Sequence, residues 1–138
     1  MRPGGARQFG VNVRCSPRGE ERTRIVCDVA AGTLSVDFSK SSLDGNLSYP
    51  EQHCPGGGEP YAGTPRAQVA PFELKPGEPL KLRVFLDRSV LEVYANSRQC
   101  VTQRIYPTRS DSLGVSLFAS GGDAEVRSVD AWDMHGIR

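Results

Sequence analysis

Apolar and polar residues alternate along most of this chain, and the alternation has the period of an extended strand. Phe9, Val11, Val13 and Cys15 fall on one side of a segment whose other side is polar. Pro17-Arg18-Gly19-Glu20 is a turn signal, and Thr23, Ile25, Cys27 and Val29 form the next alternating face. Thr33 to Phe38 predicts a third strand, with Leu34, Val36 and Phe38 inward, and Val69 to Leu74 a fourth. Leu82, Val84 and Leu86 then alternate up to Arg88-Ser89, beyond which Leu91, Val93 and Ala95 alternate again. A two-residue loop at Arg88-Ser89 sets Leu86 opposite Leu91 and Val84 opposite Val93, so that both apolar faces coincide. Val101 to Tyr106, stopped by Pro107, and Gly114 to Ala119 read as two more strands. Ala124 to Met134 closes the chain, with a change of apolar phase between Val126 and Val129 that predicts a bulge. About nine strands with turn signals between them predict an all-β fold: an antiparallel β-sandwich of two facing sheets, of the lectin/concanavalin-like jelly-roll kind.

The 138 residues set an expectation of one domain. We read 1–8 as a flexible N-terminal segment and 9–138 as the sandwich, with a long Pro/Gly-rich loop at about 39–66. Net charge is +1, with acids and bases interspersed, which gives neither nucleic acid nor a membrane surface an electrostatic foothold. No apolar run approaches a bilayer span. The first residues lack the apolar stretch of a signal peptide, so a cytoplasmic location is expected if the chain is complete, and a secreted one is open to a longer parent.

Candidate chemistry is sparse. Cys15, Cys27, Cys54 and Cys100 contain no C-x-x-C pair, so zinc is not expected. Matching apolar faces with Val13 opposite Ile25 and Val11 opposite Cys27 leaves Cys15 too far from Cys27 for a disulfide. Free, half-buried thiols acting as small core residues are expected. His53 and His135 have no ligand-type neighbours and read as bystanders. No G-x-S-x-G is present, and Gly56-Gly57-Gly58 follows no strand and opens no helix, so it reads as loop rather than phosphate cradle. Asn46-Leu47-Ser48 fits the glycosylation pattern, which recurs too often by chance to use. Asp87 and Glu92 sit diagonally on the outward face of the hairpin, about 7–8 Å apart by sheet geometry, a spacing that suits glycoside hydrolysis. Arg83 and Arg88 beside them favour a solvated, charge-compensated face instead. No catalytic, cofactor-binding or metal-binding residue is assigned. Candidate carbohydrate-stacking aromatics are Tyr49 and Tyr61 in the long loop, and Phe85 and Tyr94 on the hairpin face. Trp132 reads as a core or sheet-to-sheet anchor.

Three blocks carry a family resemblance: Leu82 to Asn96 (LRVFLDRSVLEVYAN), Arg104-Ile105-Tyr106-Pro107-Thr108, and Gly114 to Met134 with Ser116-Leu117-Phe118-Ala119 and Ala131-Trp132-Asp133-Met134. Phe9-Gly10-Val11, Glu21-Arg22-Thr23 and Asp37 to Leu43 fit the same pattern. Together they resemble the C-terminal β-sandwich domain of glycoside hydrolase family 32, the invertases, levanases and inulinases. The resemblance implies that catalysis resides in a separate five-bladed propeller with motifs W-x-N-D-P-N-G, R-D-P and E-C. None of these is present, since two residues separate Glu51 from Cys54. It implies a non-catalytic accessory module whose partner is the propeller or another copy of itself. The alternative is a stand-alone lectin-like module for fructans or related sugars. A free-standing hydrolase using Asp87 and Glu92 is the third reading, and no activity is expected from it. The family domain usually begins with a further strand before the Phe9-Gly10 segment. Met1 to Gln8 does not read as one, so an open sheet edge and self-association through it are expected.

Overall fold

A computed structural model describes residues 1–47 and 66–134. Ten strands run in order: β1 (Arg2–Pro3), β2 (Gln8–Cys15), β3 (Arg22–Asp28), β4 (Thr33–Lys40), β5 (Ala67–Pro71), β6 (Leu82–Asp87), β7 (Val90–Ala95), β8 (Gln99–Arg104), β9 (Gly114–Ser120) and β10 (Ala124–Glu125). No helix occurs among the described residues. Five strands form one antiparallel sheet in the order β5-β4-β3-β2-β9, and three form a second, β6-β7-β8. The dipeptides β1 and β10 pair with each other. The all-β sandwich expected from the alternation is the architecture found.

Period-two burial explains why these segments are strands. Burial alternates residue by residue along β3, β4 and β7, which places one side of each strand in a shared core. Phe9, Ile25, Leu34 and Val36 of the larger sheet meet Leu91, Val93, Ala95 and Val101 of the smaller one. Each such side chain contributes about 2 kcal/mol by leaving water. Pro71 ends β5 at the outer edge of its sheet, where its missing N–H breaks no ladder.

The β6–β7 hairpin has the expected register, with Leu86 opposite Leu91 and Val84 opposite Val93. Arg88 takes the left-handed conformation its tight loop requires, at φ 51°. The β2–β3 register differs from expectation by two residues. Val13 lies opposite Thr23, Val11 opposite Ile25 and Phe9 opposite Cys27. Both registers keep the apolar faces aligned, so alternation cannot choose between them. The loop chooses: the Ser16 amide donates to the Glu21 carbonyl at 2.9 Å, and Arg14, at φ 52°, sits where β2 shifts register against β9. Cys15 and Cys27 are free thiols, as expected. Cys27 fills the core position foreseen, whereas Cys100 is exposed on the outer face of β8.

Two further expectations fail. Residues 1–8 are not wholly irregular, because Arg2 and Pro3 pair with Glu125 and Ala124 and Ala6 is buried. The closing strand stops at Glu125, and Trp132 is 82% exposed rather than an anchor. No described strand pairs with residues 126–134 to lay them on the core.

Gly10 and Glu21 fix the larger sheet at opposite ends. A Cβ at Gly10 would lie 1.9 Å from the Ile25 carbonyl oxygen and 3.3 Å from the Phe118 ring. The absence of a side chain lets Phe118 cover β2 from β9, with the Arg24 guanidinium 4.0 Å from the Phe118 ring centroid. Glu21 is fully buried. Its Oε1 accepts from the Leu43 amide (3.0 Å), the Thr108 amide (2.8 Å) and the Thr108 hydroxyl (2.5 Å). Its Oε2 accepts from the Ser112 hydroxyl (2.6 Å) and the Arg109 amide (3.2 Å). Burial alone would raise this carboxyl, but the bonds from Ser112, Thr108 and Arg109 outweigh it and hold it down to about 2.

Gly10→Ala is expected to cost about 3 kcal/mol or more, read as a lowered urea midpoint with unchanged slope, because backbone stands in the new methyl's way. The stabilisation from Glu21 is fully present above its unfolded value of 4.5 and is lost as pH falls toward about 2. That shift is worth about 3 kcal/mol. Glu21→Gln should therefore be destabilised by roughly that amount at pH 7, with the gap to wild type closing between pH 4.5 and 2 in parallel urea titrations. A constant gap across that range would refute the assignment.

Candidate functional site

The smaller sheet turns an outward face to solvent, and the residues with possible chemistry gather there. Phe85 and Tyr94 project from β6 and β7 on that face, 38% and 37% exposed. Their ring centroids are 5.9 Å apart and the planes meet at 85°, an edge-to-face pair. Such a pair spends part of each ring on the other and offers no continuous flat platform. The Tyr94 hydroxyl is pushed above its usual value, chiefly by the Glu92 carboxylate and then by Cys100, which sits opposite Tyr94 in the β7–β8 register. Tyr49, Tyr61 and His53, in the Pro/Gly-rich loop, and His135 lie outside the described residues.

Asp87 and Glu92 occupy the predicted diagonal, since Glu92 is opposite Phe85 and Asp87 opposite Val90. They stand on an open sheet face, with Asp87 exposed and no wall among the described residues to exclude water. An open groove runs along Asn12, Ser16, Arg22, Arg24, Asp111 and Ser116. Its one carboxylate, Asp111, is gripped by Arg109 through Nε–Oδ1 (2.7 Å) and Nη2–Oδ2 (2.6 Å) contacts. A second groove beside Phe72, Glu73 and Lys75 is shaped by Arg98. That guanidinium donates to Glu78 Oε1 (2.5 Å), Glu78 Oε2 (2.9 Å) and the Glu73 carbonyl (2.6 Å), and lies 4.9 Å from the Phe72 ring centroid. Bonds from Arg98 first, then from the Lys75 amide and the Asn96 side chain, hold Glu78 down to about 2. Asn96 and Ser97, at φ 49° and 55°, form the β7–β8 turn that presents this cluster.

Among the described residues, the two strongly displaced carboxyls, Glu21 and Glu78, are thus displaced downward and have their oxygens occupied by donors. Neither is fitted to hold a proton near neutral pH, which a general acid must do. No group of three or more His, Cys, Asp or Glu residues suited to a metal ion occurs among the described residues. Sequence reasoning did not single out Glu21, Glu78 or Arg98. The available signal was local: an acid directly ahead of an alternating strand, and an acid closing a Lys-Pro-Gly turn.

One region of inner face lies uncovered. Val115 and Leu117 of β9 share the side of Ala119, which is opposite core residue Phe9, yet they are 61% and 42% exposed. Leu82, Val84 and Leu86 are only partly buried, and Val129 and Met134 are exposed.

The family model for the C-terminal part of family 32 glycosyl hydrolases matches residues 1–133. A levanase from Bacillus subtilis is 36% identical over 129 residues, 92% of this chain and 16% of that protein. A raffinose invertase from Escherichia coli is 44% identical over 61 residues, 44% of this chain and 13% of that protein. The crystal structure of an exo-inulinase from Aspergillus awamori superposes with a TM-score of 0.64 at 25% identity, covering 85% of this chain and 20% of that one. The chain therefore spans less than a quarter of the length of these relatives. By the family model over residues 1–133 and the matches to these relatives, the chain belongs to the C-terminal domain family of the family 32 glycosyl hydrolases.

Proposed function

We propose that this chain is a non-catalytic accessory module of a fructan- or sucrose-hydrolysing enzyme, and that its work is to dock onto and support a catalytic propeller. The observation that carries this is the state of its carboxylates. Among the described residues, the strongly shifted ones are locked ionised within hydrogen-bonded knots, and the pair with hydrolase-like spacing, Asp87 and Glu92, stands on an open face. The match to relatives whose remaining length lies outside it supports the same reading, since a levanase of which this chain covers 16% has ample chain for catalysis elsewhere. Glu21 fits a supporting role: it ties the β2–β3 turn to the 105–113 loop and holds that rim of the sandwich in one shape.

The chain alone is expected not to hydrolyse sucrose, inulin or levan, and to bind each more weakly than millimolar in calorimetric titration. Sub-millimolar binding lost in Phe85→Ala or Tyr94→Ala would support the lectin-like reading instead. Replacing the matching segment of the Bacillus subtilis levanase with this chain should give an enzyme that survives heating better than levanase lacking the segment. A chimera no more heat-resistant than the truncated enzyme would contradict docking.

A further inference from the structure

The bulge in β2 adjoins a groove on the outer face of the five-stranded sheet. Between Asn12 and Cys15, β2 takes three steps where β9 takes two, from Ser116 to Gly114, and Arg14 at φ 52° lies within the bulge. The groove, of about 570 Å³, lies between this bulge and the β2–β3 turn.

Two guanidiniums line the groove, and neither is paired with a carboxylate. Arg22 and Arg24 are alternate residues of β3, so both project from one face with Cα atoms about 7 Å apart. The ion pairs among the described residues are Arg18–Glu20, Arg98–Glu78 and Arg109–Asp111. Arg22 instead donates from Nη1 to the Gly19 carbonyl at 2.9 Å. Arg24 reaches across β2 to Phe118 on β9, 4.0 Å from its ring centroid, where Gly10 leaves room for that ring. Its Nε is buried with no hydrogen-bond partner. The carboxylates nearby are engaged elsewhere. Asp111 is gripped by Arg109, and Asp37, opposite Arg24 in the β3–β4 register, accepts from the Ser39 amide at 2.9 Å. Lys40, opposite Arg22, adds a third positive charge at the same end of the sheet.

Like charges this close on one strand face repel one another, and an anion between them removes the conflict. The Phe118 stack and the Gly19 bond hold the two guanidiniums in place without neutralising them, so their donor forks are arranged before a ligand arrives. Asn12 and Ser116, joined by an Nδ2–Oγ bond of 3.0 Å, lie in the same cross-strand row as Arg24 and add neutral hydrogen-bonding groups. We infer that this groove binds a tetrahedral dianion, a phosphate or sulfate group, held between the Arg22 and Arg24 guanidiniums. Two positive charges match a dianion, and the groove volume is within the range of sites that hold small organic ligands. A phosphate ester therefore fits as well as the free ion. The inference does not rest on the docking reading, since the arginines stand in the groove with or without a propeller.

The test is titration of the isotope-labelled 138-residue chain at constant ionic strength, followed by NMR. Inorganic phosphate and sulfate should each shift the Arg22 and Arg24 Nε–H signals and the amides of Asn12, Gly114 and Ser116 saturably, while chloride and acetate should not. Arg24→Gln should weaken phosphate binding about tenfold or more. Arg104→Gln, on the smaller sheet, should leave it unchanged. If Arg24→Gln fails to fold, Arg22→Gln, which leaves the Phe118 stack in place, carries the same expectation. Glucose 6-phosphate bound at least as tightly as inorganic phosphate assigns the groove to an ester, and weaker binding assigns it to the free ion. Shifts that do not saturate, that chloride or acetate reproduces, or that persist unchanged in the arginine variants would overturn the proposal.

Discussion

The apolar face of the five-stranded sheet must be covered by a second layer, and the rest of the molecule follows from how that layer is supplied. Phe9, Ile25, Leu34 and Val36 alternate inward with period two, and a sheet with one apolar face is stable in water only against a partner. Strands β7 and β8 meet that need over β3 and β4, where the deepest burial lies. Over β9 the layer runs out, so Val115 and Leu117 point inward and still face solvent. Among the described residues, a sandwich closed at one side and open at the other follows from a five-against-three strand count.

The carboxylates express a second constraint, that buried charge must be matched by donors. Glu21 is enclosed and ionised because two hydroxyls and three backbone amides aim at its oxygens. Glu78 is held by a guanidinium and its neighbours at the other end of the core. These groups connect turns and loops to the sheets. A hydrolase instead needs one carboxyl raised toward neutrality within a closed cleft.

Much of this was legible in the chain. Period-two alternation located eight main strands, and the two-residue loop at Arg88-Ser89 set the β6–β7 register, because its short length leaves one arrangement. The six family blocks identified the domain. The β2–β3 register was not legible, since a shift of two residues preserves the apolar faces and only the Arg14 bulge and the Ser16–Glu21 closure distinguish the possibilities. Trp132 was misread for a related reason: alternation states which side of a strand is apolar, but not whether a neighbouring strand exists to hold it. Glu21 was read only as part of a family block, and its buried role was not legible, because its five donor groups come from four residues distant in sequence, Leu43, Thr108, Arg109 and Ser112.

Residue-resolved amide hydrogen exchange of the unmodified chain tests the half-open core most directly. The account predicts slow exchange across β3, β4 and β7, and fast exchange at the amides of Leu82, Val84 and Leu86 and throughout residues 126–134. Slow exchange of β6-edge amides and the 126–134 segment together, at the level of β3, would contradict it.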